Sequence, residues 1–110
     1  MAYDERLADR IGDVIAGEAG LTQQRMFGGL AFLIDGNLAV AASGQGGMLV
    51  RVDPDEADAL IDGERVAPMV MRGRAMRGWL RVVIDPADPE LEQWLVRGVR
   101  YARSLPPKRK

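Results

Sequence analysis

A chain of 110 residues, 47% hydrophobic and 28% charged, can bury one independent core and is too short for two. It contains no cysteine and no histidine, which excludes disulfides, thiolate or imidazole metal sites, and any catalytic triad or dyad built on either residue. Net charge is only −1, yet residues 1–55 hold four basic and eight acidic side chains while residues 56–110 hold eleven and eight, an asymmetry able to orient a partner.

No apolar run approaches the roughly 20 residues that span a bilayer. The opening Met1-Ala2-Tyr3-Asp4-Glu5-Arg6 is acidic, unlike a signal peptide, so the expectation is a soluble cytoplasmic protein with no membrane contact. Leu7, Ile11, Val14 and Ile15 recur at helical spacing, which predicts a first helix from about Asp4 to Ala16, capped by Asp4 and stopped by Gly17 or Gly20. Thr22-Gln23-Gln24-Arg25-Met26 reads as a first strand. After Gly28-Gly29, Leu30, Phe32 and Ile34 alternate with their neighbours, and Leu38, Val40 and Ala42 repeat the spacing beyond Asp35-Gly36-Asn37, which predicts a β-hairpin with a tight turn.

A glycine-rich link, Ser43-Gly44-Gln45-Gly46-Gly47, precedes a strand over Met48-Leu49-Val50-Arg51-Val52. Asp53-Pro54-Asp55-Glu56 has the residue types of a helix start, and a short helix with Ala57, Leu60 and Ile61 on its apolar side should follow and stop at Gly63. Val66-Ala67-Pro68-Met69-Val70-Met71, interrupted by proline, suits an edge strand. Arg72 to Gly78 reads as a connection, and Trp79 to Ile84 as a strand with Leu80, Val82 and Ile84 on one face and Trp79, Arg81 and Val83 on the other. Asp85-Pro86-Ala87-Asp88-Pro89 then caps a last helix with Leu91, Trp94, Leu95, Val99 and Ala102 inward. Pro106-Pro107 ends it, and residues 106–110 form a basic tail after a single domain over 1–105. The order α-β-β-β-β-α-β-β-α predicts an α+β fold, with helices packed on an antiparallel or mixed sheet of about five to six strands.

Chemistry-bearing motifs are few. Ser43 to Gly47 lacks the lysine and the following helix of a phosphate-binding loop, so a flexible hairpin loop explains it. Asp35, Asp53, Asp55, Asp85 and Asp88 each have a turn or cap role that accounts for them without a carboxylate pair or a magnesium site. No cofactor is implied. Arg72, Arg74, Arg77 and Arg81 place four guanidiniums within ten residues, which could meet phosphates or an acidic partner; the plainer reading is a solvated surface neutralised by Glu56, Asp58, Asp62 and Glu64. Trp79 is the only nearby ring, where single-strand binders need several for base stacking, and Trp94 reads as a core anchor. Met26-Phe27-Gly28-Gly29 also has two readings. One is a structural glycine pair that admits Phe27 and Phe32 to the core, and the other a small pocket or groove lined by Met26, Phe27, Met69 and Met71.

The run Met26 to Asn37, the basic stretch Gly73 to Trp79 and the segment Tyr101-Ala102-Arg103-Ser104-Leu105-Pro106 together resemble the TfoX N-terminal domain family over nearly the whole chain. The resemblance implies Met26, Phe27, Gly28, Gly29, Phe32, Gly36, Asn37, Gly78 and Trp79 as motif positions. It also implies regulation of bacterial competence genes through a DNA-binding transcription factor, by a stand-alone domain without the helical C-terminal domain of two-domain relatives. The preferred expectation is therefore a non-catalytic regulatory or protein-interaction domain that could self-associate through an exposed sheet edge. Direct nucleic-acid binding through the arginines and the tail is a second reading, against which near-neutral charge counts. A small-ligand binder or an enzyme of another kind is a third.

Overall fold

In a computed structural model of the chain, residues 3–26 and 28–107 are described, with the side chain of Met71 excepted. Phe27 and the tail residues Lys108, Arg109 and Lys110 lie outside them. The elements are α1 (Glu5–Ile15), β1 (Leu21–Met26), β2 (Gly29–Ile34), β3 (Asn37–Ala42), β4 (Met48–Arg51), α2 (Pro54–Leu60), β5 (Val66–Met71), β6 (Arg74–Val82) and α3 (Leu91–Ser104). Their order is the one the sequence predicts. The strands form one sheet in the order β1-β2-β3-β4-β6-β5, and every neighbouring pair is antiparallel.

Local chemistry explains the boundaries. Asp4 caps α1 by accepting from the amides of Arg6 at 2.9 Å and Leu7 at 3.2 Å. Asp53 does the same for α2 through the amide of Asp55, ahead of Pro54 at the first turn. That helix ends at Leu60 rather than at Gly63, because Ile61 is already extended. The β2–β3 turn holds Asp35 at φ +51° and Gly36 at φ +85°, the twist that a two-residue antiparallel hairpin needs.

The helices cover one face of the sheet. Phe32, Ile34, Val40, Met48, Val50, Leu80 and Val82 meet Leu7, Ile11, Leu91, Leu95 and Val99 there, all of them under 10% exposed. Burial of that many aliphatic side chains, at about 1.5–3 kcal/mol each, is the main source of stability. The pleat turns Ala31, Leu33, Leu38, Ala41, Leu49 and Met69 to the opposite face, with Met26 and Trp79 packed against them. That second cluster is also buried although no helix contributes to it among the described residues.

Two further local expectations differ. The Asp85–Pro89 stretch does not cap α3, whose N-cap position is Glu90 with no side-chain cap, while Asp88 accepts from the Glu90 amide instead. Arg72 to Gly78 is not a connection: only Arg72-Gly73 turns, at φ +54° and +78°, and β6 is already running from Arg74. Gly78, at φ +83°, absorbs a bulge opposite the Pro68/Met69 register shift instead of ending the strand. A Cβ there would lie 3.1 Å from both Pro54 Cγ and Val52 O, so only glycine lets β6 pass the start of α2.

Candidate functional site

The hairpin of β5 and β6 forms one end of the sheet and carries most of the arginine cluster. Met71 pairs with Arg74, Val70 with Ala75 and Met69 with Met76, so alternation sends Arg74 and Met76 to the second face and Arg77 to the helix face. Arg72 sits in the turn. Arg72 and Arg74 are exposed and have no ion pair among the described residues. Arg77 reaches Asp55 at 3.3 Å, with side chains 75% and 87% exposed, a contact that water and salt weaken to well under 1 kcal/mol. Beside these cations Val70 is 60% exposed and Met76 36%.

Arg81 has a different task. Its guanidinium donates to Ser43 Oγ at 3.3 Å, Gly46 O at 3.0 Å and Gln45 Oε1 at 3.1 Å, and thereby closes the glycine-rich β3–β4 loop. The anticipated neutralisation by Glu56, Asp58, Asp62 and Glu64 takes another form. Asp55 meets Arg77, while the Asp62 carboxylate accepts from the amides of Val66, Glu64 and Arg65, which holds its pKa below the ordinary 3.8. Arg65 in turn lies 2.8 Å from Asp88. The amide of Glu90 and this guanidinium lower the Asp88 pKa, and the Asp88 carboxylate raises that of Arg65.

The motif residues of the other stretches are sewn to one another. Asn37, 2% exposed, donates from Nδ2 to the Pro106 carbonyl at 2.9 Å, which ties the β2–β3 turn to the segment after α3. The Arg51 guanidinium lies 5.3 Å from the centre of the Trp79 ring and 5.6 Å from that of Tyr101, so one cation joins β6 to α3. Gly29 is pressed against β3, where an added Cβ would collide with the Ala42 carbonyl. Gly28 borders Gly44 in the same crossing. Met26 and Met69 do share the second-face cluster, whereas Phe32 is fully buried on the helix face, away from them. Trp94 is 7% exposed in the core, with Arg97 4.9 Å over its ring.

Periodicity gave no sign of the cavity of about 300 Å³ between α1 and α3, lined by Val14, Ile15, Leu95, Val96 and Val99 with Glu18, Arg100 and Arg103 at its rim. The Glu18–Arg103 pair at 2.7 Å closes one side of it. Among the described residues, no three Asp or Glu side chains are grouped closely enough to hold a metal ion, and no helix is long and apolar enough to cross a membrane. The family model of the TfoX N-terminal domain matches residues 13–102. No curated protein and no solved structure matches the chain.

Proposed function

The chain belongs to the TfoX N-terminal domain family, and from that premise we propose that it is a non-catalytic, competence-related regulatory domain of the cytoplasm, which binds a protein such as a transcription factor. The observation that carries the reading is the β5–β6 hairpin tip. There Arg72 and Arg74 have no ion-pair partner among the described residues, Arg77 is held only by an exposed contact, and the pleat sets exposed Met76 on the face of Arg74 and exposed Val70 on the opposite face with Arg77. Guanidiniums next to apolar side chains suit an acidic protein surface with a hydrophobic centre, because arginine adds planar charged hydrogen bonds to contacts that exclude water. The absence of histidine and cysteine from the sequence supports the non-catalytic part. Nucleic acid is the less favoured ligand, since Arg81 is committed to the β3–β4 loop and, among the described residues, β6 itself carries one ring, half-buried Trp79, already stacked against Arg51.

The test is capture from native lysate with the tagged wild-type chain and with the combined Arg72→Ala, Arg74→Ala and Arg77→Ala variant, each with and without nuclease. A transcription factor retained after nuclease by the wild type and lost by the variant is the expected result. Equal retention by the variant would remove the hairpin from the account, and partners that vanish with nuclease would transfer the arginines to nucleic acid.

A further inference from the structure

The two ends of the sheet are not equivalent. At the β5 end the backbone is guarded: Val66 O accepts from the amides of Asp62 and Gly63, Val66 N donates to Asp62 Oδ1, and Pro68, two residues on, has no amide hydrogen to offer. At the β1 end there is no such device among the described residues. Asp35 N donates to Gly20 O at 3.0 Å, so Gly20 faces β2. Alternation along the unbroken register then turns the main-chain groups of Thr22, Gln24 and Met26 toward β2, and those of Leu21, Gln23 and Arg25 outward. These outward groups have no hydrogen-bond partner among the described residues. The edge is six residues long, has no proline and no bulge, and carries a single charge, Arg25.

We propose that a second copy of this chain pairs antiparallel along β1, about a two-fold axis through Gln23. The sequence of the edge selects this occupant. A register centred on Gln23 is the one that uses all three outward residues, setting Leu21 against Arg25 of the second copy, Gln23 against its own counterpart, and Thr22 against Gln24. The only charge on the edge then faces leucine rather than itself. Leu21, Gln23 and Arg25 share the helix side of the sheet, opposite Ile34, Phe32 and Leu30 of β2. The two sheets become one continuous sheet, with both arginine hairpins at its far ends. A contact built on one strand is small, which makes the dimer weak and concentration-dependent. The proposal uses the end of the sheet opposite the hairpin and does not depend on the proposed function.

The test is sedimentation equilibrium from about 10 µM to about 1 mM, a range that covers weak association. It is run on the wild type, on Gln23→Lys, on Gln23→Glu, and on an equimolar mixture of the two variants. Gln23 is exposed, so thermal midpoints near that of the wild type serve as the folding control. The wild type should dimerise. Each variant alone places like charges opposite each other on the axis and should weaken the dimer about fivefold or more, and the mixture should restore it as a heterodimer. A wild type that stays monomeric throughout overturns the proposal. So does a dimer indifferent to both substitutions, or a mixture no tighter than its components.

Discussion

β1 and β5 are both edge strands of six residues in one sheet, yet they meet the same physical problem in opposite ways. β5 spends a proline and the Asp62 turn on covering its outer backbone, and places its exposed side chains at a cationic hairpin tip. β1 keeps its backbone bare and its side chains nearly neutral. A guarded edge leaves contact to the side chains of its charged tip, whereas a bare edge leaves main-chain hydrogen bonds open to a strand in matching register, so the two ends differ in the kind of contact they offer.

The largest test of the contrast is at the β1 end. β2 can lie against both β1 and β3 only because Gly29 admits the Ala42 carbonyl. Gly29→Ala should cost about 1–3 kcal/mol in a denaturant titration, as overpacking against backbone does, and should abolish association along β1 with it. A loss below that range would mean that the crossing of Gly28-Gly29 with Ala42-Gly44 is adaptable. A smaller effect is expected at the other end, where Asp62→Ala frees three amides. The Val66 amide should then exchange with solvent at the rate of an open edge, and unchanged protection would show that Pro68 and strand pairing suffice as the guard.

Acid separates the ends as well. Asp62 and Asp88 have pKa values lowered below 3.8, so their contribution is complete above that value and is lost as pH falls through their folded-state pKa values. On acidification below 3.8, exchange should rise first around Glu64–Val66 and Asp88–Glu90, while β1, which relies on neither carboxylate, changes later. Simultaneous loss at both ends would contradict this division. The smallest effect on stability is predicted for the three arginines of the hairpin. Changed together to alanine, they should shift unfolding by no more than about 0.5 kcal/mol per site, because none is buried, while partner capture falls away.

Local chemistry made much of this legible in the sequence. Asp35-Gly36, the caps Asp4 and Asp53, and the apolar stripe of α3 all act over a few residues, and each was readable from spacing. Gly78 misleads for a physical reason: a glycine at the end of an arginine-rich run looks like a break, but at φ +83° it shifts the alternation of β6 and lets the strand continue. Contacts closed by the fold could not be read. Arg81 finds its partners in the Ser43–Gly47 loop, Asn37 binds Pro106, and Arg51 lies near two rings from different elements. The sheet order was equally hidden, since β6 rather than β5 lies beside β4, and that exchange is what makes β5 an edge. Of the candidate site, the arginines were visible, but the split between Arg81, committed to a loop, and Arg72 and Arg74 was not.

Amide hydrogen exchange read residue by residue at low and high protein concentration tests the difference between the two ends most directly. The account predicts that the amides of Leu21, Gln23 and Arg25 exchange freely when dilute and gain protection as concentration rises, while Val66 is protected throughout and Val70 does not respond. Protection of the β1 amides that is independent of concentration, or a gain at Val70 in their place, would contradict it.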